Sequence, residues 1–361
     1  MMKCLSKKMP VLYICSIGMR MPSLRRDTIF WTRIRRKLAS VAHLLRQVDR
    51  QLHVYSPLPL PLYQSAWGRR LNSIILRLQL QAVYLRLGIK KPLVWINTPT
   101  AWPVIAPLPR RGLIYQRTDD YAAYDFDNFN SDYVRQVDNQ LLGNADQVIH
   151  VSDELHQDAM KKGANSMLMP QGVDPRFFSH NGPMPDDLKT LPRPIIGYVG
   201  GMDHHKFDTP LVAEVARELP DYSIALIGPD NPNVAELHEL ANVHFLGSKS
   251  HAEIPAYTHN FDICLLPTAQ SEWGLKCRPL KLMEYLAAGR PVVATPTPAS
   301  SPFAEEIAIG ADAQAWVSAI TEILAQPSSH THCAIGHNPK LQAWDDLAQK
   351  FYQQLQASKL I

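Results

Sequence analysis

Arg278, Lys281 and Glu284 gather around the start of one candidate helix within Glu272–Thr295, EWGLKCRPLKLMEYLAAGRPVVAT. Pro279 suits the first helical position, where a missing N–H leaves no hydrogen bond unmade, and Gly289 suits the stop. The unpaired N–H groups and positive dipole end of such a helix attract an anion, for instance a diphosphate. Arg278 lies just before that end and Lys281 in the first turn. Glu284 follows one turn later on the same side, where a carboxylate can accept two hydrogen bonds from the cis hydroxyls of a ribose. One helix can therefore hold both the phosphates and the ribose of a nucleotide. Taken alone, the Lys281–Glu284 pair also fits an ordinary exposed helix pair, worth ~0.2–0.5 kcal/mol.

Two further groups sit at the ends of candidate strands. Gly200–Gly201 follow the apolar run Ile195–Val199, with Lys206 the basic residue nearby and His204–His205 beside it. In LIYQRTDDYAAYDF, Asp119 and Asp120 follow the strand Leu113–Arg117, at the edge where open α/β sheets bind ligands. A helix cap or turn is the plain structural reading of that pair. The adjacent Asp119 and Asp120 lack DxD spacing, the fourteen histidines show no HxxxH, and the five scattered cysteines show no CxxC, which argues against a metal site. No metal and no cofactor are expected.

These residues need a scaffold, and the apolar pattern supplies one. Strands are expected at Val11–Ser16, His53–Ser56, Leu93–Asn97, Leu113–Arg117 and Val148–Ser152. Helices are expected over Ile29–Val48, over Leu71–Leu87 stopped by Gly88, and after Ser152 to Gly163. The polar, proline-rich Ser179–Pro194 reads as a linker. A second alternation follows: strands Ile195–Val199, Ile224–Ile227, Val243–Leu246, Ile263–Leu266 and Pro291–Thr295, with helices Thr209–Glu218 and Pro279–Ala288. A last helix is expected within Pro339–Leu360.

The pieces IIGYVGGMDHHKFD, YSIALIGP, VHFLGSKSHAEIPAY, FDICLLP and PLKLMEYLAAGRPVVAT resemble the donor half of GT-B glycosyltransferases. The resemblance is to the large group 1, family-4-like retaining set that includes many polysaccharide enzymes. It implies an α/β chain of two Rossmann-like domains facing across a cleft, with a C-terminal helix crossing back to the first. The acceptor-side domain is then 1–178 with 341–361 packed on it, the linker 179–194 and the nucleotide-sugar domain 195–340. The resemblance implies that Glu284 binds the donor ribose and that Gly200–Gly201 let the backbone approach its phosphates. Gly172 and Val173, in QGVDPRFF, match a loop lining the donor site.

Two departures from the family pattern stand out. Lys276 occupies the place of a second glutamate, with Glu272 out of register, and Lys206 is the only basic residue after the glycine turn. Lys281 and Arg278 are the replacements for phosphate charge, and the choice between retention and inversion stays open. LIYQRTDDYAAYDF is similar to the matching strand end of the xanthan-assembly glucuronosyltransferase, an inverting GT-B enzyme. That likeness implies Asp119, or failing it Asp120, as the base that takes the acceptor proton, a role worth about 10²–10⁴-fold.

Charge points to the acceptor. The chain carries a net charge of +4, yet residues 1–111 hold 20 Lys and Arg against Asp27 and Asp49 alone. Such a block attracts anionic lipid headgroups, each basic residue near the surface contributing about 1 kcal/mol. The implied partners are a UDP- or GDP-sugar, a lipid-linked or saccharide acceptor, and an anionic membrane surface met by the basic N-terminal domain. Nucleic acid is not expected, since no reader motif or aromatic platform accompanies the basic residues. The run Val11–Met19 is too short to span a bilayer, so a peripheral place on the inner face of the cytoplasmic membrane is expected. The rival readings are a nucleotide-sugar epimerase of the same fold and a non-catalytic polyanion-binding protein.

Overall fold

The computed structural model describes residues 1–361 except 16–43, 61, 63–64, 122–130, 179–181, 272–273, 276–279, 327–339 and 359. It contains two compact units, Met1–Pro170 with Asp345–Ile361, and Gln171–Trp344.

The first unit holds strands β1 (Val11–Ile14), β2 (Leu45–Asp49), β3 (Leu52–Tyr55), β4 (Leu93–Ile96), β5 (Gly112–Arg117), β6 (Gln147–His150) and β7 (Ser166–Leu168). They form a three-stranded sheet β1-β3-β2 and a four-stranded parallel sheet β4-β5-β6-β7. Its longer helices are α1 (Ala66–Leu87), α2 (Ser131–Asn144) and α3 (Asp153–Lys161). Ser65 caps α1 by accepting from the Gly68 N–H at 3.0 Å, and Gly88 ends it at φ 68°. Ser152 caps α3 through the Leu155 N–H.

The helix expected over 29–48 is corrected at its end, the rest lying outside the described residues. Leu45–Asp49 is a strand, paired antiparallel with β3 through a tight turn at Arg50–Gln51. Val41, Leu44, Leu45 and Val48 have helical spacing, but backbone pairing to β3 decides the conformation.

A cavity of about 750 Å³ lies between the two sheets of this unit. Consecutive residues Val11–Cys15 and Leu93–Thr98 line it. Successive strand residues point to opposite faces, so unbroken runs place the cavity in the plane between the two strand edges. Leu76, Leu80, Tyr84 and Leu87 of α1 also face it.

The second unit is a six-stranded parallel sheet in the order β10-β9-β8-β11-β12-β13. Its strands are β8 (Ile195–Val199), β9 (Ser223–Ile227), β10 (Val243–Gly247), β11 (Ile263–Leu266), β12 (Val292–Ala294) and β13 (Ala308–Ile309). The helices are α4 (Thr209–Glu218), α5 (Leu280–Ala287) and α6 (Ala313–Ala325). Alternate strand residues feed two cores. Ile196, Ile224, Leu226, Ile263, Leu265 and Val293 pack with α4 and α6 on one face. Ile195, Ala225, Ile227, Cys264, Leu266, Val292 and Ala294 pack with α5 on the other. Burial on both faces explains why these strands read as continuous apolar runs. The strand order is that of a doubly wound dinucleotide fold, whose ligand crevice opens where the winding reverses, between β8 and β11.

Two segments differ in detail from their sequence reading. Within 179–194, Asp186–Lys189 is one helical turn whose Leu188 is fully buried, with Asp187 bonded to Lys249 at 2.6 Å and to the Tyr257 hydroxyl at 2.8 Å. The last helix, α7 (Trp344–Ala357), packs on the first unit through Phe351 against Trp95 of β4, edge to face at 4.8 Å.

Candidate active site

The crevice of the second unit is built by β8, β9 and α5. Gly200 follows β8 at φ 152°, and its N–H donates to the Ile227 carbonyl at 2.7 Å. Its carbonyl oxygen lies where a side chain on Gly228 would fall, and a Cβ on Gly200 itself would overlap Cε and Nζ of Lys281. Two glycines are therefore needed for the close approach of three chain segments.

What brings Lys281 there is the seating of α5. Buried Tyr285, one turn further along, accepts the Val199 N–H at 2.9 Å and so pins the helix to the end of β8. The Lys281 ammonium lies 5.4 Å from the centre of the Tyr198 ring, whose hydroxyl donates to the Gly201 carbonyl at 2.8 Å. No carboxylate lies within ion-pair distance of Lys281 among the described residues.

Glu284 is half-buried on the same helix. Burial pushes its carboxyl above the ordinary value, and the nearby charges of Lys281 and His251 only partly oppose that. A desolvated carboxylate with no donor to it among the described residues is stabilised by any ligand that brings hydroxyl hydrogens to it. His251 is exposed and stacks on Phe177 at 4.8 Å.

Among the other expected donor residues, Lys206 lies 3.8 Å from Asp203, and Gly201 is half-buried beside that aspartate. His205 is buried and His204 exposed. Val173 packs into the core and pairs with Ala343, and Gly172 is buried with it. Arg278, Glu272 and Lys276 lie outside the described residues.

In the first unit, Asp119 and Asp120 stand beyond the C-terminal end of β5, and they differ. Arg117, the last residue of β5, is buried and meets three aspartates. Its guanidinium lies 3.1 Å from Asp138 of α2, 2.8 Å from Asp158 of α3 and 3.6 Å from Asp120. Asp138 also accepts the Tyr115 hydroxyl. Burial raises the Asp138 carboxyl despite Arg117, whereas at Asp158 the hydrogen bonds from Arg117 and Lys162 outweigh burial and hold it low.

Asp120 is thus tied into a buried ion cluster. Asp119 is half-exposed, with Thr118 Oγ1 at 3.4 Å from its carboxylate. Its charge adds to the burial that pushes the Tyr121 hydroxyl up to about 12. Alongside, His150 ends β6 in register with Arg117, fully buried, its Nδ1 2.9 Å from Ser166 Oγ. Burial and the Arg117 charge hold it down at about 3, so it is a neutral ring at neutral pH.

The sequence reading missed Tyr198, Tyr285, Gly228 and the Arg117 cluster. The tyrosines read as core residues. The one available signal for the cluster is an arginine closing a strand that, Gln116 apart, is apolar. Among the described residues, no three His, Cys, Asp or Glu side chains converge to hold a metal ion.

Residues 193–326, a stretch that includes Gly200, Lys281 and Glu284, match the family model described as Glycosyl transferases group 1. The putative teichuronic acid biosynthesis glycosyltransferase TuaH of Bacillus subtilis (strain 168) is 30% identical over 234 residues, 61% of this chain and 59% of that protein. The chain thus spans about three fifths of the curated relative it matches. Among solved structures it resembles sucrose-phosphate synthase from Thermosynechococcus elongatus, with a TM-score of 0.70 at 18% identity over 97% of this chain and 100% of the other. It also resembles Anabaena HepE in complex with UDP-glucose, with a TM-score of 0.66 at 17% identity over 97% and 100%. These likenesses give the chain the GT-B fold.

Proposed function

We propose that the protein is a glycosyltransferase that moves a sugar from a nucleotide-sugar donor, a UDP- or GDP-sugar, onto a lipid-linked or saccharide acceptor at an anionic membrane surface. The observation that carries this reading is the meeting of Lys281 with the Gly200 turn at the point where the winding reverses, one helical turn from a desolvated Glu284. HepE was solved with UDP-glucose, and TuaH is named as a putative teichuronic acid biosynthesis glycosyltransferase, which supports the donor and acceptor classes.

In this reading the diphosphate lies against the Gly200–Gly201 backbone and Lys281, with Arg278 and the start of α5 adding positive potential. Glu284 accepts the ribose hydroxyls. As the acceptor oxygen attacks the anomeric carbon, its proton passes to Asp119 and the bond to the diphosphate breaks. The departing charge is met by Lys281 and fixed backbone dipoles, so the reaction needs no divalent ion. In this reading Asp119 rather than Asp120 takes the base role, a choice supported by the ion pair of Asp120 with Arg117.

A thermal-shift and calorimetric panel of UDP, GDP and their sugars tests the reading, since a ligand bound only by the folded state raises the melting temperature. One nucleotide should bind. Glu284→Ala should weaken it by about tenfold or more, the loss of a hydrogen bond to a charged group costing about 1.5–3 kcal/mol. Unchanged affinity in that variant removes the ribose role. Product analysis with and without acceptor separates transfer from epimerisation.

A further inference from the structure

Helix α1 is apolar on two sides. Leu76, Leu80, Val83 and Tyr84 face the interior of the first unit. On the other side Trp67, Ile74, Leu78 and Leu85 are 68%, 48%, 61% and 84% exposed. These four stand at i, i+7, i+11 and i+18, near whole numbers of 3.6-residue turns, so they form one straight ridge. Spaced surface apolar residues are ordinary, but a continuous large-residue ridge marks a contact surface.

The charges around the ridge say what it contacts. Residues 66–87 contain Arg69, Arg70, Arg77 and Arg86 and no acidic residue. Arg69 lies over the Tyr133 ring at 4.4 Å and Arg77 donates to the Pro103 carbonyl at 3.2 Å, which turns both toward the protein body. Arg70 and Arg86 are exposed, and exposed Lys90 and Lys91 follow the helix. A second copy of the chain packing ridge to ridge would set arginine against arginine with no acid on either helix. Anionic headgroups neutralise the same residues.

We propose that this face of α1 lies in the headgroup region of an anionic lipid surface, with Trp67, Ile74, Leu78 and Leu85 inserted and Arg70, Arg86, Lys90 and Lys91 on phosphates. The helix lies in the interface rather than crossing it, because its other face belongs to the core of the unit and it carries four arginines. No helix among the described residues is long and apolar enough to cross a membrane. The proposal specifies the membrane contact of the transferase reading, but it rests on vesicle binding without nucleotide or acceptor, so either can fail alone.

Flotation of the full chain with phosphatidylcholine vesicles, with and without phosphatidylglycerol, tests it. Wild type should float with the anionic vesicles, less so at high salt. Leu78→Glu with Leu85→Glu should lower the partition coefficient by about tenfold or more, each apolar side chain withdrawn weakening insertion. Both sites are exposed, so melting temperature and nucleotide binding should stay as in wild type. Arg86→Glu with Lys90→Glu should erase the preference for anionic vesicles. Equal flotation of wild type and the leucine variant overturns the proposal, as does no flotation of wild type. Loss of self-association in the leucine variant with unaltered vesicle binding overturns it in favour of a second copy.

Discussion

Gly200→Ala asks whether Lys281 occupies the place from which it can meet a phosphate. The added Cβ falls on Cε and Nζ of Lys281 and 3.0 Å from the Tyr198 hydroxyl, at a φ of 152° that side-chain-bearing residues rarely adopt. The backbone strain is of order 1–3 kcal/mol. The Gly200 carbonyl has no room to retreat, being pressed on Gly228, so the lysine tip moves instead. A displaced lysine forfeits a charge-assisted hydrogen bond worth about 1.5–3 kcal/mol, or about 10- to 100-fold in nucleotide Kd. Lys281→Ala forfeits the same contact, and it also vacates the volume into which the new Cβ points. The two losses should therefore be strongly non-additive: Gly200→Ala in the Lys281→Ala background should cost little further affinity. Calorimetric titration of the nucleotide into wild type, both single variants and the double variant reads this coupling, with melting temperatures recorded alongside. Simple addition of the two losses would refute the proposed contact, and so would full affinity in Lys281→Ala.

Three further outcomes are expected. Asp119→Asn should lower turnover by about 10²–10⁴-fold with nucleotide affinity unchanged, and retained turnover discards it as the base. Arg117→Met should cost about 3–5 kcal/mol in urea unfolding, because it strands the buried Asp138 without its countercharge; an unshifted unfolding midpoint contradicts this. Glu284→Gln should melt higher than wild type at pH 7 while binding nucleotide more weakly. The folded-state carboxyl lies above its unfolded value of 4.5. The folded unit therefore binds the extra proton between 4.5 and that raised value, and wild type loses stability as pH rises through the window. The gap between the two melting temperatures should close as pH falls toward 4.5, and a gap that widens refutes the assignment.

Which parts of this molecule can be read from its sequence follows from where the deciding interactions lie. Strands β8 and β11 and helix α4 have the bounds that their apolar runs and flanking turn residues indicate, because both faces of each strand are buried and each stop is local. Leu44, Leu45 and Val48 keep helical spacing, but the partner β3, not that spacing, selects the extended form. Residues 186–189 looked like linker because Asp187 finds Lys249 and Tyr257 only 62 and 70 positions later.

The candidate site divides in the same way. Gly200, Lys281 and Glu284 each announced a chemical capacity through type and position. That Lys281 touches Gly200 depends on the Tyr285 hydroxyl receiving the Val199 N–H, a bond between groups 86 positions apart that no local pattern encodes. In the first unit the likeness to the xanthan-assembly enzyme ranks Asp119 before Asp120, and the ion pair of Asp120 with Arg117 is a further difference that their adjacent positions do not encode. An arginine held by Asp138 and Asp158 from two different helices fastens the end of β5 to both. Buried Asp120 is thereby tied to the end of β5, while its neighbour Asp119 stays half-exposed.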